Sequence, residues 1–529
     1  AAQRGDEEAA ARVGAAMNGP LQFGTAGLRG TVGPGESRMN LAVVIRATAG
    51  LCEVVKRHAT GTPTLVVGCD ARYGSSEFAA AACRVASAAG VRVLALPQAN
   101  PTPLTAFSML HFDADAGVMV TASHNPAPDN GYKVYLGGTV AQGDGRGVQI
   151  VPPFDVEIAA AIEAAPPADE VPMNDDLVEA VDPREEYVAC ASALASGEAS
   201  AREDLRIVLT AMHGVGAAIT SRVLAEAGFS NVSLVEAQAQ PDPDFPTVPF
   251  PNPEEAGALD MAIEQAREQG ADLIIAVDPD ADRCALAVPD PSSETGWSPL
   301  SGDQTGSLLG EFLASRGMRG SLANSIVSSR LLSRIARAHG LEHHTTLTGF
   351  KWIARAPGLG FGYEEAIGFC PDPAHVRDKD GIATSVVAAS LVAALKAQGR
   401  SVWDELERLA RLHGLHVSSP LTFRVEEIEQ IASGMARLRA QPPSVLAGSP
   451  VVEVSDLSQG YRGLPPTDGV LVLTEAGDRV IARPSGTEPK LKCYLEVILP
   501  VTEGEPLPWD QARERLDAIK GAFAEIIGL

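Results

Sequence analysis

The sequence contains no C-x-x-C pair, and its seven cysteines (Cys52, Cys69, Cys83, Cys190, Cys284, Cys370, Cys493) are scattered and odd in number. That pattern excludes a disulfide framework and a cysteine-based zinc site, and the thiols read as reduced. No run of about eighteen uncharged apolar residues occurs, so no membrane-spanning helix and no membrane partner are expected. Positive charge is scarce, with 42 Lys and Arg against 67 Asp and Glu and a formal charge of -25. A chain this acidic repels polyanions, and without a concentrated basic face no nucleic-acid partner is expected. Also missing are a G-x-x-x-x-G-K-S/T phosphate loop, a dinucleotide fingerprint and a fixed-period repeat of the solenoid kind. The opening stretch AAQRGDEEAAARVG is acidic and has no apolar signal core, so a cytoplasmic protein is expected.

What is present is an ordinary globular composition, 45% hydrophobic and 21% charged, spread over 529 residues. At roughly 100 to 200 residues per domain this length gives about three to five domains, and four are expected. Apolar runs of strand type (64–70, 91–97, 116–123, 205–212, 271–278) alternate with alanine-rich helical stretches (77–89, 217–227, 258–269, 304–316, 329–339, 384–398). Gly228, Gly270, Gly317, Gly340 and Gly399 act as stop signals after most of these helices. Composition shifts at APPADEVPMNDD (165–176) and DPSSETGWSPLSGD (290–303) suggest boundaries. After about residue 415 the pattern turns to alternating strands, GVLVLTEAGDRVIAR and LKCYLEVIL, and a terminal helix over 510–526. The expected fold is therefore α/β, with three successive α/β domains of mixed sheet and a C-terminal α+β domain.

Four segments carry candidate chemistry. In VMVTASHNP (118–126) an apolar strand runs straight into Thr121, Ser123, His124 and Asn125, so a hydroxyl emerges where open α/β sheets bind ligands. Ser123 reads as a nucleophile or phosphoryl carrier, or else as a capping serine in a turn. In LIIAVDPDADR (273–283) three carboxylates, Asp278, Asp280 and Asp282, follow a buried-strand pattern, which suits a hard divalent cation. A calcium loop of the EF-hand kind is disfavoured, because its sixth position is Arg283 and its twelfth Pro289, and magnesium fits better. RPSGTEPK (483–490) offers Arg483, Ser485, Gly486, Thr487 and Lys490, donors that converge naturally on a phosphate dianion, although a solvated turn explains them equally well. FGYEEAIGF (361–369) places Glu364 and Glu365 in an apolar, glycine-punctuated stretch, with Arg377 and Lys379 shortly after in VRDKDG. FGTAGLRG (23–30) adds Thr25 and Arg29.

With these loops in this order, the chain closely resembles the α-D-phosphohexomutase superfamily of phosphoglucomutases and phosphomannomutases, over nearly its whole length. The resemblance implies four domains around a central cleft: 1–200 with the phosphoserine loop, 201–303 with the metal loop, 304–415 with the sugar loop and 416–529 with the phosphate loop. It implies that Ser123 is the phosphoserine and that Asp278, Asp280 and Asp282, with the group on Ser123, hold one magnesium ion per chain. Arg29, His124 and Lys133 (in NGYKVY) become candidates for proton handling and charge stabilisation, and Arg283 for the reacting phosphate. Glu364 would hold sugar hydroxyls. Arg483, Ser485, Gly486, Thr487 and Lys490 would grip the other phosphate, with Lys379 as a further cation. The implied reaction interconverts hexose 1- and 6-phosphates, of glucose or mannose, through a 1,6-bisphosphate that also primes the enzyme, in a monomer or weak homodimer. Ala366 stands where many hexose-specific relatives have serine, and with TGFKWIA (348–354) it resembles a branch that includes phosphopentomutases and sugar 1,6-bisphosphate synthases. A phosphohydrolase of the haloacid-dehalogenase type would explain Asp278 and Asp280 but leaves the serine and phosphate loops without a role. A non-catalytic sugar-phosphate binder would have no need of both the serine and the aspartates.

Overall fold

The computed structural model describes residues 7–425, 428–484 and 490–528. The chain folds as two compact units, the first formed by 1–302, 354–363 and 367–399, the second by 303–353, 364–366 and 400–529.

The first unit contains two mixed sheets, as the alternation of short apolar runs with helices predicts. One orders its strands Leu28–Thr31, Asp129–Leu136, Ala116–Val120, Thr64–Cys69, Arg92–Ala95 and Val178–Ala180, with Val148–Gln149 on the flank of Asp129–Leu136. Thr64–Cys69 lies parallel to both neighbours, whereas Asp129–Leu136 is antiparallel to Ala116–Val120. The core of this layer is the sheet's apolar face against the helices Leu41–His58 and Ser75–Ala88. Leu41–His58 starts at Asn40, whose side chain accepts from the Val43 amide, and ends in Lys56, Arg57 and His58, which complement the helix dipole. The second sheet orders Trp297–Pro299, Cys284–Pro289, Leu273–Val277, Arg206–Thr210 and Asn231–Leu234. In both sheets a fully buried central strand, Ala116–Val120 or Leu273–Val277, delivers a candidate loop at its carboxyl end. The helix Gly381–Ala397 is apolar nearly all round and buried, and Asp380 caps it by accepting from the Ile382 and Ala383 amides.

The second unit carries a six-stranded, wholly antiparallel sheet in the order Leu415–Arg424, Lys490–Leu499, Arg479–Pro484, Val470–Thr474, Ser449–Asp456 and Val445–Leu446. The helices Ile428–Ala440 and Trp509–Ile527 cover one face, so this part is α+β. The same unit holds the parallel pair Ser321–Ser325 and His343–Thr346 with the helices Gly302–Ser315 and Leu331–Ala338. The five glycines expected as stops all have positive φ, from 58 to 89°. Among the described residues nine α-helices lie outside the expected set, the longest of them Leu41–His58, Ile428–Ala440 and Val402–His413, with Thr102–His111 beside the serine loop. The seven cysteines are free and six are buried. Among the described residues no single helix is long and apolar enough to cross a membrane.

Candidate active site

The serine and aspartate loops meet at the carboxyl ends of the two buried strands. Ser123 sits in a left-handed conformation, φ 52°, directly after Ala116–Val120, and its amide donates to Thr121 Oγ1 at 2.9 Å. Its hydroxyl donates to Asp278 Oδ2 at 2.7 Å. His124 Nδ1 lies 3.3 Å from the same hydroxyl. Burial, then the charges of Arg283 and Arg29, holds the His124 imidazole well below its usual range, so it is neutral.

Asp278, Asp280 and Asp282 are buried, and one carboxylate oxygen of each lies within 4.8 Å of the others. The turn that groups them places Ala281 in the left-handed region, φ 56°, with its amide donating to the Asp278 carbonyl at 2.8 Å. Gly381 is required beside it, because a Cβ there would stand 2.3 Å from the Arg283 carbonyl oxygen and 2.8 Å from that of Ala281. Lys133, also buried, places its ammonium 2.8 Å from both Asp280 Oδ2 and Asp282 Oδ2. Burial opposes that charge, but Asp280 and Asp282 outweigh it and hold the ammonium above its usual value. At Asp278 burial together with its two acidic neighbours outweighs the charge of Arg283 and drives the carboxyl well above the usual range. Asp280 Oδ1 and Asp282 Oδ1 are buried and, among the described residues, accept no hydrogen bond. Three converging carboxylates, two with an unused oxygen, are the donor set of a hard divalent cation, so the residues fit a metal ion.

Sequence reasoning missed the groups that brace these loops. Arg72, buried after the strand Thr64–Cys69, donates to the carbonyls of Ser123 and Asn125 (2.6 Å each), Pro126 (2.9 Å) and Asp129 (3.2 Å). Its signal was a charged residue in CDARYGSS just past an apolar strand. Thr102, first residue of the helix Thr102–His111, donates from its hydroxyl to Asp280 Oδ2 at 2.6 Å and from its amide to the Asp280 carbonyl at 2.9 Å. Asp378 accepts from Tyr135 (2.7 Å) and Gln149 (2.6 Å) and lies 3.1 Å from the Lys379 ammonium.

The remaining predicted residues fall as follows. Arg29 donates to Asn125 Oδ1 at 3.1 Å, at the serine loop. The Arg283 amide donates to Asp278 Oδ1 at 3.0 Å, and its Nε lies 3.8 Å from Asp282 Oδ1. Lys379, expected to offer a cation to a phosphate, sits 3.2 Å from Asp282. In the second unit, Glu364 ends the strand Leu359–Glu364 and is buried. Arg483 lies near the end of Arg479–Pro484 and Lys490 opens the paired strand Lys490–Leu499, both half-buried. Ser485, Gly486 and Thr487 lie outside the described residues.

Four family models cover most of the chain. Phosphoglucomutase/phosphomannomutase α/β/α domain I matches 20–167, domain II 185–292, domain III 301–412 and the C-terminal domain 423–498. Among curated relatives, a "Probable phosphomannomutase" of Haemophilus influenzae is 44% identical over 87% of this chain and 93% of its own length. A phosphoglucomutase of Staphylococcus haemolyticus is 34% identical over 90% of each chain. The human phosphopentomutase is 31% identical over 96% of this chain and 89% of its own. The crystal structure of a "putative phosphomannomutase" from Thermus thermophilus superposes with a TM-score of 0.72 at 25% identity, covering 95% of this chain and 99% of that one. The four domain matches in order, together with relatives aligned nearly end to end, place the chain in the phosphoglucomutase/phosphomannomutase family of the α-D-phosphohexomutase superfamily, enzymes of the isomerase class.

Proposed function

We propose that this hexose phosphate mutase works through a phosphorylated Ser123, and that glucose and mannose phosphates are its substrates. The observation that carries the reading is the Ser123 hydroxyl 2.7 Å from Asp278, inside the three-aspartate cluster. Ser123 in its phosphorylated form donates the phosphoryl group to the free hydroxyl of a sugar monophosphate. The Ser–O–P bond breaks, the sugar–O–P bond forms, and the hydroxyl proton leaves to a nearby base, with the neutral His124 imidazole in place for it and the charged Lys133 stabilising the negative charge that develops. The resulting 1,6-bisphosphate turns over and returns its other phosphate to Ser123, which regenerates the enzyme, so a trace of bisphosphate primes it.

Asp278, Asp280 and Asp282 would hold Mg2+ together with the phosphate on Ser123, where a divalent cation supplies electrostatic stabilisation of the charge shared among the transferring oxygens. Arg29 and Arg283 orient the reacting phosphate, and Thr102 and Lys133 keep the aspartates in position. Glu364 holds sugar hydroxyls. Arg483, Ser485, Gly486, Thr487 and Lys490 grip the phosphate that does not react, and Lys379 contributes a further cation near Asp282.

A second reading, action on pentose phosphates, is favoured by Ala366 and by the likeness to a phosphopentomutase. Phosphorus NMR with Mg2+ and a trace of the matching bisphosphate separates the two, by comparing initial rates on glucose, mannose and ribose 1-phosphates. Faster conversion of the hexose phosphates is expected. A ribose preference would transfer the chain to the pentose reading, and release of inorganic phosphate alone would refute both.

A further inference from the structure

The turn SIVSSR at 325–330 takes no part in the chemistry above, yet polar and apolar contacts of the second unit converge on it. Ile326 and Val327 are buried against Leu457, Leu471 and Ile481 of the six-stranded part. Arg479 donates to the carbonyls of Ile326 (2.8 Å) and Ser328 (2.6 Å). Glu496 holds the end of the turn, accepting from the Ser329 hydroxyl and the Arg330 amide on Oε1, both at 2.8 Å, and from Arg330 Nε on Oε2 at 2.6 Å. On the other side, the hydroxyls of Ser325 and Ser328 both donate to Oε2 of Glu365 at 3.0 Å. Burial, with Glu364 and Asp303 close by, raises the Glu365 carboxyl to about 7.

These contacts tie two substrate groups to one piece of backbone. Glu365 is the immediate neighbour of Glu364. Arg479, Ile481 and Arg483 alternate along one strand and therefore share a face of the sheet, the face on which the turn packs. Tyr494, opposite Ile481, joins the same cluster. Burial and the charges of Glu365 and Glu364 push its phenol up while Arg483 pulls it down, so one ring feels both ends.

We infer that the 325–330 turn is a spacer that fixes Glu364 relative to Arg483, with Glu365 and Arg479 as its positioning residues, and thereby sets the length of sugar phosphate accepted. The inference rests on the reading that Glu364 binds sugar hydroxyls and Arg483 the phosphate that does not react. A pentose phosphate is shorter by one carbon–carbon bond, about 1.5 Å, and a misplacement of about 1 Å is enough to cost roughly a hundredfold in rate. A spacer of this rigidity discriminates on that scale; a loosened one does not.

The test uses the full-length protein carrying Glu365→Leu, or Ser325→Ala with Ser328→Ala, with rates on glucose and ribose 1-phosphates. The expected result is a KM for glucose 1-phosphate raised about tenfold or more, and a glucose-to-ribose ratio of kcat/KM compressed by a similar factor. Glu365→Gln, which keeps an acceptor for both hydroxyls, recovers most of the loss. Equal losses on both sugars, or none, overturn the inference. Hydrogen exchange supplies a readout independent of substrate: in the double serine variant, 364–366 and the strand Arg479–Pro484 speed up together. If either stays unchanged, the coupling is refuted. A wild type that converts neither sugar phosphate refutes the functional reading instead, and the exchange result still decides the coupling.

Discussion

Glu496→Gln removes the charge of a buried ion-pair network in the second unit. Glu496 is 1% exposed and meets Arg330 at 2.6 Å and Arg479 at 3.3 Å. Burial alone would raise its carboxyl, but Arg479 and Arg330 outweigh it and bring it down to about 2. Against an ordinary value of about 4.5, that depression corresponds to about 3 kcal/mol. The sign follows from the depression: the contribution is complete above about pH 4.5 and is lost as pH falls through about 2. Removing the charge also strands two guanidinium groups, and breaking a buried pair costs about 3 to 5 kcal/mol, which agrees with the linkage figure. A chain of several domains does not unfold in one step, so hydrogen exchange of the strands Leu415–Arg424 and Lys490–Leu499 is the suitable assay. At pH 7 the variant should exchange there on the order of a hundredfold faster, and at each pH the ratio to wild type should close between about pH 4.5 and 2. A difference under about tenfold at pH 7, or an equal gap at pH 2, would refute the reasoning.

Ser123→Ala should lower mutase turnover below about one-thousandth of wild type and abolish phosphate incorporation from a sugar bisphosphate, checked by phosphorus NMR and intact mass. Chelation should remove activity and Mg2+ restore it, while Asp280→Asn should lose Mg2+ binding in calorimetry. Mg2+ at about a hundred times its Kd should stabilise the first unit by about 2.7 kcal/mol. Arg72→Met should leave four serine-loop carbonyls unheld and reduce kcat by about a hundredfold with little change in Mg2+ affinity. Glu365, raised to about 7 by burial, favours the fold fully below about pH 4.5 and loses that contribution as pH rises through about 7. Protection at 364–366, taken relative to the intrinsic exchange rate at each pH, should therefore fall from pH 5 to 8 in wild type and not in Glu365→Gln.

The chemistry-bearing loops were legible because most follow an apolar strand and gather residue types suited to ligand binding, and because all of them occur in one order along the chain. Ser123 and Asp278 stand 155 positions apart and meet at 2.7 Å, a contact that fold resemblance implies and spacing alone does not. The α/β alternation was equally plain, since buried parallel strands read as continuous apolar runs. Leu41–His58 escaped the helix pattern because glycine and β-branched residues interrupt it, although Asn40 marks its start. Arg72 and Thr102 were illegible for another reason. Each acts on partners distant in sequence, Arg72 on backbone carbonyls at 123–129 and Thr102 on Asp280, and no local periodicity registers such a partner. The coupling of Glu365 to Arg479 is hidden in the same way, because it passes through a serine-rich turn that reads as an ordinary loop.

The left-handed backbone at Ser123 limits which nucleophile this position can carry. A φ of 52° crowds any side chain branched at Cβ against its own carbonyl, a cost of about 1 to 3 kcal/mol. Threonine, chemically as able to form a phosphate ester, is thus disfavoured by main-chain geometry before its reactivity matters. Asparagine and aspartate tolerate the left-handed region well. Ser123→Asp should therefore keep the loop's native shape while placing a permanent carboxylate where the proposed mechanism puts the transient phosphate, which on that mechanism would leave a folded, inert receptor for the substrates.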